Sequence, residues 1–471
     1  MTDVILFRPT FFNAQLKPPP IPWGLLYVGS SIAARGYSVK IVDELIHPDW
    51  RNLILAEMKK KTLLIGISSM TGKQIKYGLN LSAFVKEHSK IPVVWGGIHP
   101  SIFPEQTLMH KNIDYIVKGE GEETIIELIE SLEDKRELET IRGLGYKNNN
   151  NAVVNPDRFF TKLDDLPELD YSLINVDRYV GKRFGSQRSF ELCTSRGCPH
   201  QCAFCYNANY NKCKWRSMSV DRIMDSLHEL IDQYEIDGLT WREDNFFVDE
   251  KRVKEIAERI IEEDINIRWH ADCRIDDVYR YDDAFIKLLK KSGCHTLTLG
   301  AESGSNRILK KIKKGITRDQ ITLVKNKLNR YEIYQNYHFM MGLPDESDKD
   351  IQKTVDLMYQ LMSKNKFFGK ICGPSLYTPY PGTALYEESL LKDFNPPESL
   401  EGWIDMDWYS LDLPWITNQR RNIIEDIAWN VMGIGQKWVH HYFKWKFFLF
   451  AKYNFPIPCF EKKIYLKLRK N

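Results

Sequence analysis

Short β-branched apolar runs recur along this chain with a helical-period segment between successive runs. That alternation restricts it to α/β folds built on parallel sheets. In the first 135 residues the runs at 4–7, 39–42, 63–67, 92–95 and 115–117 read as buried strands of a five-stranded doubly wound sheet. A second series at 190–194, 238–241, 268–273, 296–300, 337–341 and 371–377 gives six βα units, an incomplete (β/α)6 barrel. Between the two series the period is lost. A polar turn at 148–151 and an acidic, proline-marked stretch at 163–170 predict a linker with a short hairpin. The expected boundaries are 1–140 for the first domain, 141–185 for the linker, 186–378 for the barrel and 379–471 for a mainly helical C-terminal region.

A chain of 471 residues carries enough apolar sequence for several cores, and a net charge of +3 gives no general reason to expect nucleic-acid binding. Nine irregularly spaced cysteines lack the pattern of a disulfide framework and indicate a reducing, cytoplasmic setting. The N-terminus shows no signal-peptide pattern, and no run of 18 apolar residues predicts a membrane span.

Within the second series lies Cys193-Thr-Ser-Arg-Gly-Cys198-Pro-His-Gln-Cys202-Ala-Phe-Cys205-Tyr. Three soft thiolate ligands within eight residues, on the loop after the first barrel strand, point to a metal. A zinc site needs a fourth ligand, which Cys193 or Cys213 can supply. The other reading is a 4Fe–4S cluster on Cys198, Cys202 and Cys205, with one iron open to a small molecule. The Cys-x3-Cys-x2-Cys spacing, with aromatic Phe204 before the third cysteine, resembles the signature of radical S-adenosylmethionine (SAM) enzymes. The resemblance implies that the open iron chelates SAM, which one electron cleaves to a 5′-deoxyadenosyl radical.

Ligands of doubly wound sheets sit beyond the carboxyl ends of the strands. Here those ends read Ser68-Ser69-Met70-Thr71, Gly96-Gly97-Ile-His99 and Gly119-Glu120-Gly121, small or polar residues that let a broad ligand approach backbone. No Gly-x-Gly-x-x-Gly follows the first strand, so a dinucleotide site is weakly supported. Together with Pro22-Trp-Gly-Leu-Leu-Tyr-Val-Gly29, these pieces are similar to the cobalamin-binding domain of cobalamin-dependent radical SAM enzymes, over roughly residues 1 to 375. The loop 8–15 lacks the Asp-x-His-x-x-Gly of cobalamin proteins that supply a lower-face histidine. His99 then reads as a turn or helix-start residue, and Met70 as an apolar neighbour of cobalt.

The barrel strand ends carry Glu243 and Asp244, Arg274, Glu302 and Ser303, and Gly342. Carboxylates, a cation and close backbone are what a zwitterionic ligand with a ribose requires. Together with Phe204 and Tyr206 they form the expected SAM site. Tyr377 and Tyr380 are candidate substrate contacts.

The resemblance implies an enzyme that abstracts a hydrogen from an unactivated carbon and transfers a methyl group from methylcobalamin. Rearrangement, cyclisation or oxidation without methyl transfer is the alternative, and a non-enzymatic cobalamin- or zinc-binding module a third. Expected partners are a small-molecule or lipid-like substrate and an electron donor such as flavodoxin or ferredoxin. Residues 437–471 hold nine Lys or Arg against one Glu. The basic aromatic stretch 438–450 within them is too short and polar to span a bilayer, and reads either as part of a substrate cap or as a peripheral membrane contact.

Overall fold

The computed structural model describes residues 2–10, 18–58, 61–133, 136–149, 151–363, 365–406, 412–434 and 449. Five parallel strands, β1 (Val4–Arg8), β2 (Val39–Asp43), β3 (Leu64–Ser68), β4 (Val93–Gly96) and β5 (Tyr115–Val117), run in the order β2-β1-β3-β4-β5. Their runs are almost wholly buried, as strands covered by helices on both faces must be. The strand order reverses between β1 and β3, where such sheets bind ligands.

The first sheet does not stop at residue 140. A hairpin, β6 (Leu144–Asn148) and β7 (Asn151–Val154), pairs antiparallel to β5 and extends it to seven strands. Further on, β8 (Gly181–Arg183) pairs antiparallel to the first barrel strand. The stretch expected as a linker therefore supplies edge strands to both sheets. Short, half-exposed edge strands carry no sustained apolar period, which is why the alternation missed their membership.

The second sheet holds six parallel strands, β9 (Ser186–Leu192), β12 (Gly238–Trp241), β13 (Arg268–Arg274), β14 (Cys294–Glu302), β15 (Tyr334–Met341) and β16 (Phe368–Leu376), in chain order across the sheet. Between β9 and β12, a two-stranded ribbon of β10 (Ser195–Arg196) and β11 (Arg216–Ser217) brackets the cysteine loop. The intervening helices are amphipathic. Helix Val220–Tyr234 buries Val220, Ile223, Met224, Leu227 and Leu230, the i, i+3, i+4, i+7 stripe. Each such side chain contributes about 1.5–3 kcal/mol on leaving water. Side-chain caps set the helix starts, as at Asp249, Asp282, and the capping boxes Thr317/Gln320 and Ser347/Asp350.

Beyond the barrel, helices Ala384–Leu390 and Asn418–Ile434 follow, the latter against β16. The turn between them returns to the first domain. Trp403 is fully buried beside His99 and Phe103, and its Nε1 donates to Gln106 Oε1 at 2.7 Å. Tyr377, a candidate substrate contact, is instead core, with 1% of its surface exposed. The basic aromatic stretch 438–450 lies outside the described residues, apart from Leu449. Among the described residues no helix is long and apolar enough to cross a membrane.

Candidate functional site

The carboxyl ends of both sheets open onto one cavity of about 710 Å³, within the usual range for small-molecule sites. From the first domain it is walled by Ser68, Met70, Gly96, Gly97, Gly119, Glu120 and Gly121, with Gly24, Tyr27 and Val28 from the helix after β1. Side chains added at Gly24 or Gly119 would meet nothing within 4 Å, so these glycines leave room for a ligand. Gly97 is required for another reason. Its φ is +95° and a Cβ there would lie 2.9 Å from the Ser69 carbonyl oxygen.

Three expected first-domain residues stand back from this wall. Ser69 is buried and donates to the Met70 carbonyl at 3.1 Å. Thr71 Oγ1 lies 3.0 Å from His99 Nδ1. His99 is fully buried, and burial lowers its pKa to about 4. These groups shape the β3 and β4 ends from behind.

From the barrel side, Cys193, Ser195, Arg196, Gly197, Tyr206, Tyr210, Asn211, Arg242, Glu243, Asp244 and Asp272 complete the wall. Asp244 opens into the cavity while accepting from the Gly197 N–H at 3.0 Å and the Tyr206 hydroxyl at 3.3 Å. Burial pushes its carboxyl upward despite these donors. Glu243 plays a different part. Its carboxylate accepts from the Thr194 N–H at 3.2 Å, from the Thr194 and Ser195 hydroxyls, and from Arg252 at 3.0 Å. Glu243 thus ties β12 to the entry of the cysteine loop.

The loop itself is clamped by main chain. Ala203 donates to the Ile312 carbonyl at 2.9 Å and accepts from the Leu385 N–H at 3.0 Å. Gly197, with φ +86°, starts it where a Cβ would lie 2.0 Å from the Lys214 carbonyl oxygen. Burial pushes the Cys198 thiol up to about 11 and the Cys205 thiol up to about 12, so these become thiolates only when a cation compensates. Arg274 Nη1 donates to Cys202 Sγ at 3.3 Å.

The two metal readings ask for different sulfur spacings. Tetrahedral zinc with Zn–S bonds of about 2.3 Å holds its sulfurs about 3.8 Å apart. Among the described residues, the group of three or more Cys, His, Asp or Glu with ligand atoms within 4.8 Å of one another is His200, Asp276 and Asp277, and contains no cysteine. Cys198, Cys202 and Cys205 are therefore not gathered about a single ion. Cys193 instead donates to the Ser195 carbonyl at 3.6 Å, and Cys213 to the His200 carbonyl at 3.9 Å.

The remaining expected SAM-site residues lie outside the cavity wall. Glu302 pairs with buried Lys314 at 2.8 Å, and that ammonium lies 6.0 Å from the Phe204 ring centroid. Ser303 Oγ meets Thr354 Oγ1 at 3.1 Å, and the Gly342 N–H donates to Glu346 at 2.7 Å.

Residues not anticipated from sequence join the two halves. Arg196 spans Glu120 at 3.0 Å and Glu122 at 2.6 Å, its guanidinium 4.5 Å from the Tyr27 ring centroid. Arg216 takes Glu120 with both terminal nitrogens, at 3.0 and 2.8 Å. Burial alone would raise the Glu120 carboxyl, and the two arginines hold it below its ordinary value. Tyr27 donates to the Cys193 carbonyl at 2.6 Å, and Tyr210 to the Gly119 carbonyl at 3.1 Å. Positive charge at 196 and 216 flanking the cysteine loop was the available signal, but nothing local names partners 74 to 96 residues away.

A doubly wound domain and a half-barrel sharing one cavity, with a three-cysteine loop at its edge, define the architecture of a cobalamin-dependent radical SAM enzyme. Residues 192–358 match the Radical SAM superfamily and residues 9–129 the B12 binding domain. The uncharacterized methyltransferase PH0819 of Pyrococcus horikoshii is 32% identical over 375 residues, 78% of each chain. The chain belongs to this family. It is also 26% identical over 356 residues to an anaerobic magnesium-protoporphyrin IX monomethyl ester cyclase of Synechocystis, covering 73% of this chain and 70% of the cyclase. In fold it is similar to the cobalamin-dependent SAM radical enzyme OxsB, whose structure has aqua-cobalamin and SAM bound. The TM-score is 0.74 at 16% identity, covering all of this chain and 71% of OxsB.

Proposed function

We propose that this protein methylates an unactivated carbon of a small-molecule substrate, after a 5′-deoxyadenosyl radical has removed the hydrogen. The bound groups supply the difficult chemistry, a radical from reductive cleavage of SAM and a methyl group carried on cobalt. Cys198, Cys202 and Cys205 would hold the cluster, with Arg274 donating to the Cys202 sulfur. Tyr206 and Asp244 would meet SAM from the cavity side, with Phe204, Glu302, Ser303 and Gly342 shaping the strand ends beside it. Glu243 keeps the loop entry fixed. Ser68, Met70, Gly96, Gly97, Gly119 and Gly121 would receive cobalamin by close backbone approach, and Glu120 acts through its arginines.

The observation that carries this reading is the single cavity walled by both domains, which lets a methyl carrier and a radical source act on one substrate without release. An external flavodoxin- or ferredoxin-type donor would supply the electron. The eight described cysteines are free thiols, in keeping with a reducing cytoplasm. The relative named as a cyclase favours a second reading, in which the substrate radical closes a ring or is oxidised without methylation. Anaerobic turnover with methyl-labelled SAM and cell metabolites separates the two. Labelled methyl in a new product supports methyl transfer. 5′-Deoxyadenosine formed with a new but unlabelled product supports the second reading.

A further inference from the structure

Strand alternation sends one set of barrel side chains to the helices and the other to the lumen. Register places Asp272 beside Thr298, Thr298 beside Asn336, and Asn336 beside Lys370, while Arg242 follows the Trp241–Ala271 pair and so stands level with Asp272. One inner layer therefore reads Arg242, Asp272, Thr298, Asn336, Lys370 across five adjacent strands.

Most of this layer already has partners. Thr298 Oγ1 takes the His270 Nε2 contact at 2.7 Å and accepts from Asn336 Nδ2 at 3.1 Å, while Asn336 Oδ1 accepts from the Lys370 N–H at 3.1 Å. Glu191, the other lumen carboxylate nearby, is paired with Arg183 at 2.8 Å. The two cations are different. Arg242 and Lys370 are exposed, and among the described residues neither side chain makes a hydrogen bond or an ion pair. Asp272, the carboxylate of this layer, is raised by burial and drawn back by Arg242, His338 and Lys370. Asp244 also acts on Arg242 through space, yet among the described residues no carboxylate lies within ion-pair distance of either cation. Arg242 and Asp272 line the shared cavity, so their end of the layer faces the space where the reaction would occur, with Lys370 exposed at its far end.

We infer that the substrate is an anion, a phosphate ester or a carboxylate, whose charged group is held between Arg242 and Lys370 on the inner face of the half-barrel. This rests on the reading of the cavity as a reaction site. A neutral substrate would strip water from two cations without compensation, which is costly, whereas a guanidinium fork and an ammonium match an oxyanion.

The SAM carboxylate and the cobalamin phosphate are the competing anions, and the test separates them. The full chain, loaded with iron–sulfur cluster and hydroxocobalamin, is titrated calorimetrically with inorganic phosphate in the presence of SAM. Arg242→Gln and Lys370→Gln are each expected to weaken phosphate binding by about tenfold or more, the effect of losing a charge-assisted hydrogen bond. Arg242→Lys should restore part of it, and Lys287→Gln on an outer helix should change nothing. SAM and hydroxocobalamin affinities should stay at wild-type values, which also shows that the variants fold. No phosphate binding by the wild type, unchanged binding in both variants, or loss of SAM or hydroxocobalamin affinity instead would overturn the inference. Failure of the enzymatic reading would show separately, as absence of 5′-deoxyadenosine.

Discussion

Arg196, on the ribbon that brackets the cysteine loop, grips Glu122 at 2.6 Å where the first sheet ends. Both side chains are largely buried, and Glu120 shares the same guanidinium. With Arg216 on Glu120 and the Tyr27 and Tyr210 hydroxyls, the contact ties the cysteine-loop side of the cavity to the first-domain side. Arg196→Ala strips Glu122 of its cation while Glu120 keeps Arg216, and breaking a buried pair costs about 3 kcal/mol or more. Denaturant unfolding should show that loss, together with weaker hydroxocobalamin binding. Stability within a few tenths of a kcal/mol of wild type would show that the pair contributes little.

The cysteines divide by their surroundings. Cys198→Ala, Cys202→Ala and Cys205→Ala should each abolish reductive SAM cleavage and lower iron content after anaerobic reconstitution. Cys193→Ala and Cys213→Ala should keep both, because those thiols donate to carbonyls at 3.6 and 3.9 Å. Indispensable Cys193 or Cys213 would mean that three-cysteine ligation is wrong.

Glu346 supplies a pH dependence outside the chemistry. Burial raises its carboxyl to about 7 although the Gly342 N–H donates to it at 2.7 Å. The folded protein then binds a proton more tightly than the unfolded chain, whose glutamate titrates near about 4.3. Stability is therefore greatest below the unfolded value, falls as pH rises toward 7, and levels off above it. The loss is on the order of 3 kcal/mol. Glu346→Gln should flatten that fall in unfolding measured at about pH 5 and about pH 8. An unchanged slope would assign it to other groups.

The sequence carried the two parallel series well because a strand buried on both faces must be apolar throughout. First-sheet strands begin and end within a residue of expectation. Edge strands such as Asn151–Val154 escape that rule, since one side meets water. The cysteine spacing was legible because ligand geometry acts locally. Glu243 shows the limit of such reading. Its place at a strand end was legible, but only folding brings Thr194, Ser195 and Arg252 onto its carboxylate. Arg242 and Lys370 sit on strands four positions apart in the sheet, so no short motif joins them.

No histidine of the loop after β1 is available to the lower face of a bound cobalt. Residues 8–15 contain no histidine, and the first-domain wall of the cavity offers Ser68, Met70 and glycines at the strand ends. His99 is the nearest imidazole by sequence to those ends, and its Nε2 is buried without a hydrogen-bond partner among the described residues, which would suit a ligand. Its surroundings argue otherwise. Nδ1 is engaged with Thr71 at 3.0 Å, and the ring packs 5.5 Å from Phe103 and 5.8 Å from Trp403. Moving it to the cavity would open a hole beside a fully buried tryptophan. Met70, by contrast, lines the cavity with half its surface exposed. With the base of cobalamin displaced, protein-bound cob(II)alamin should show electron paramagnetic resonance without nitrogen superhyperfine splitting, and His99→Phe should leave that spectrum unchanged. A nitrogen triplet that vanishes in His99→Phe would make His99 the axial ligand, and one that persists would show that the base is retained.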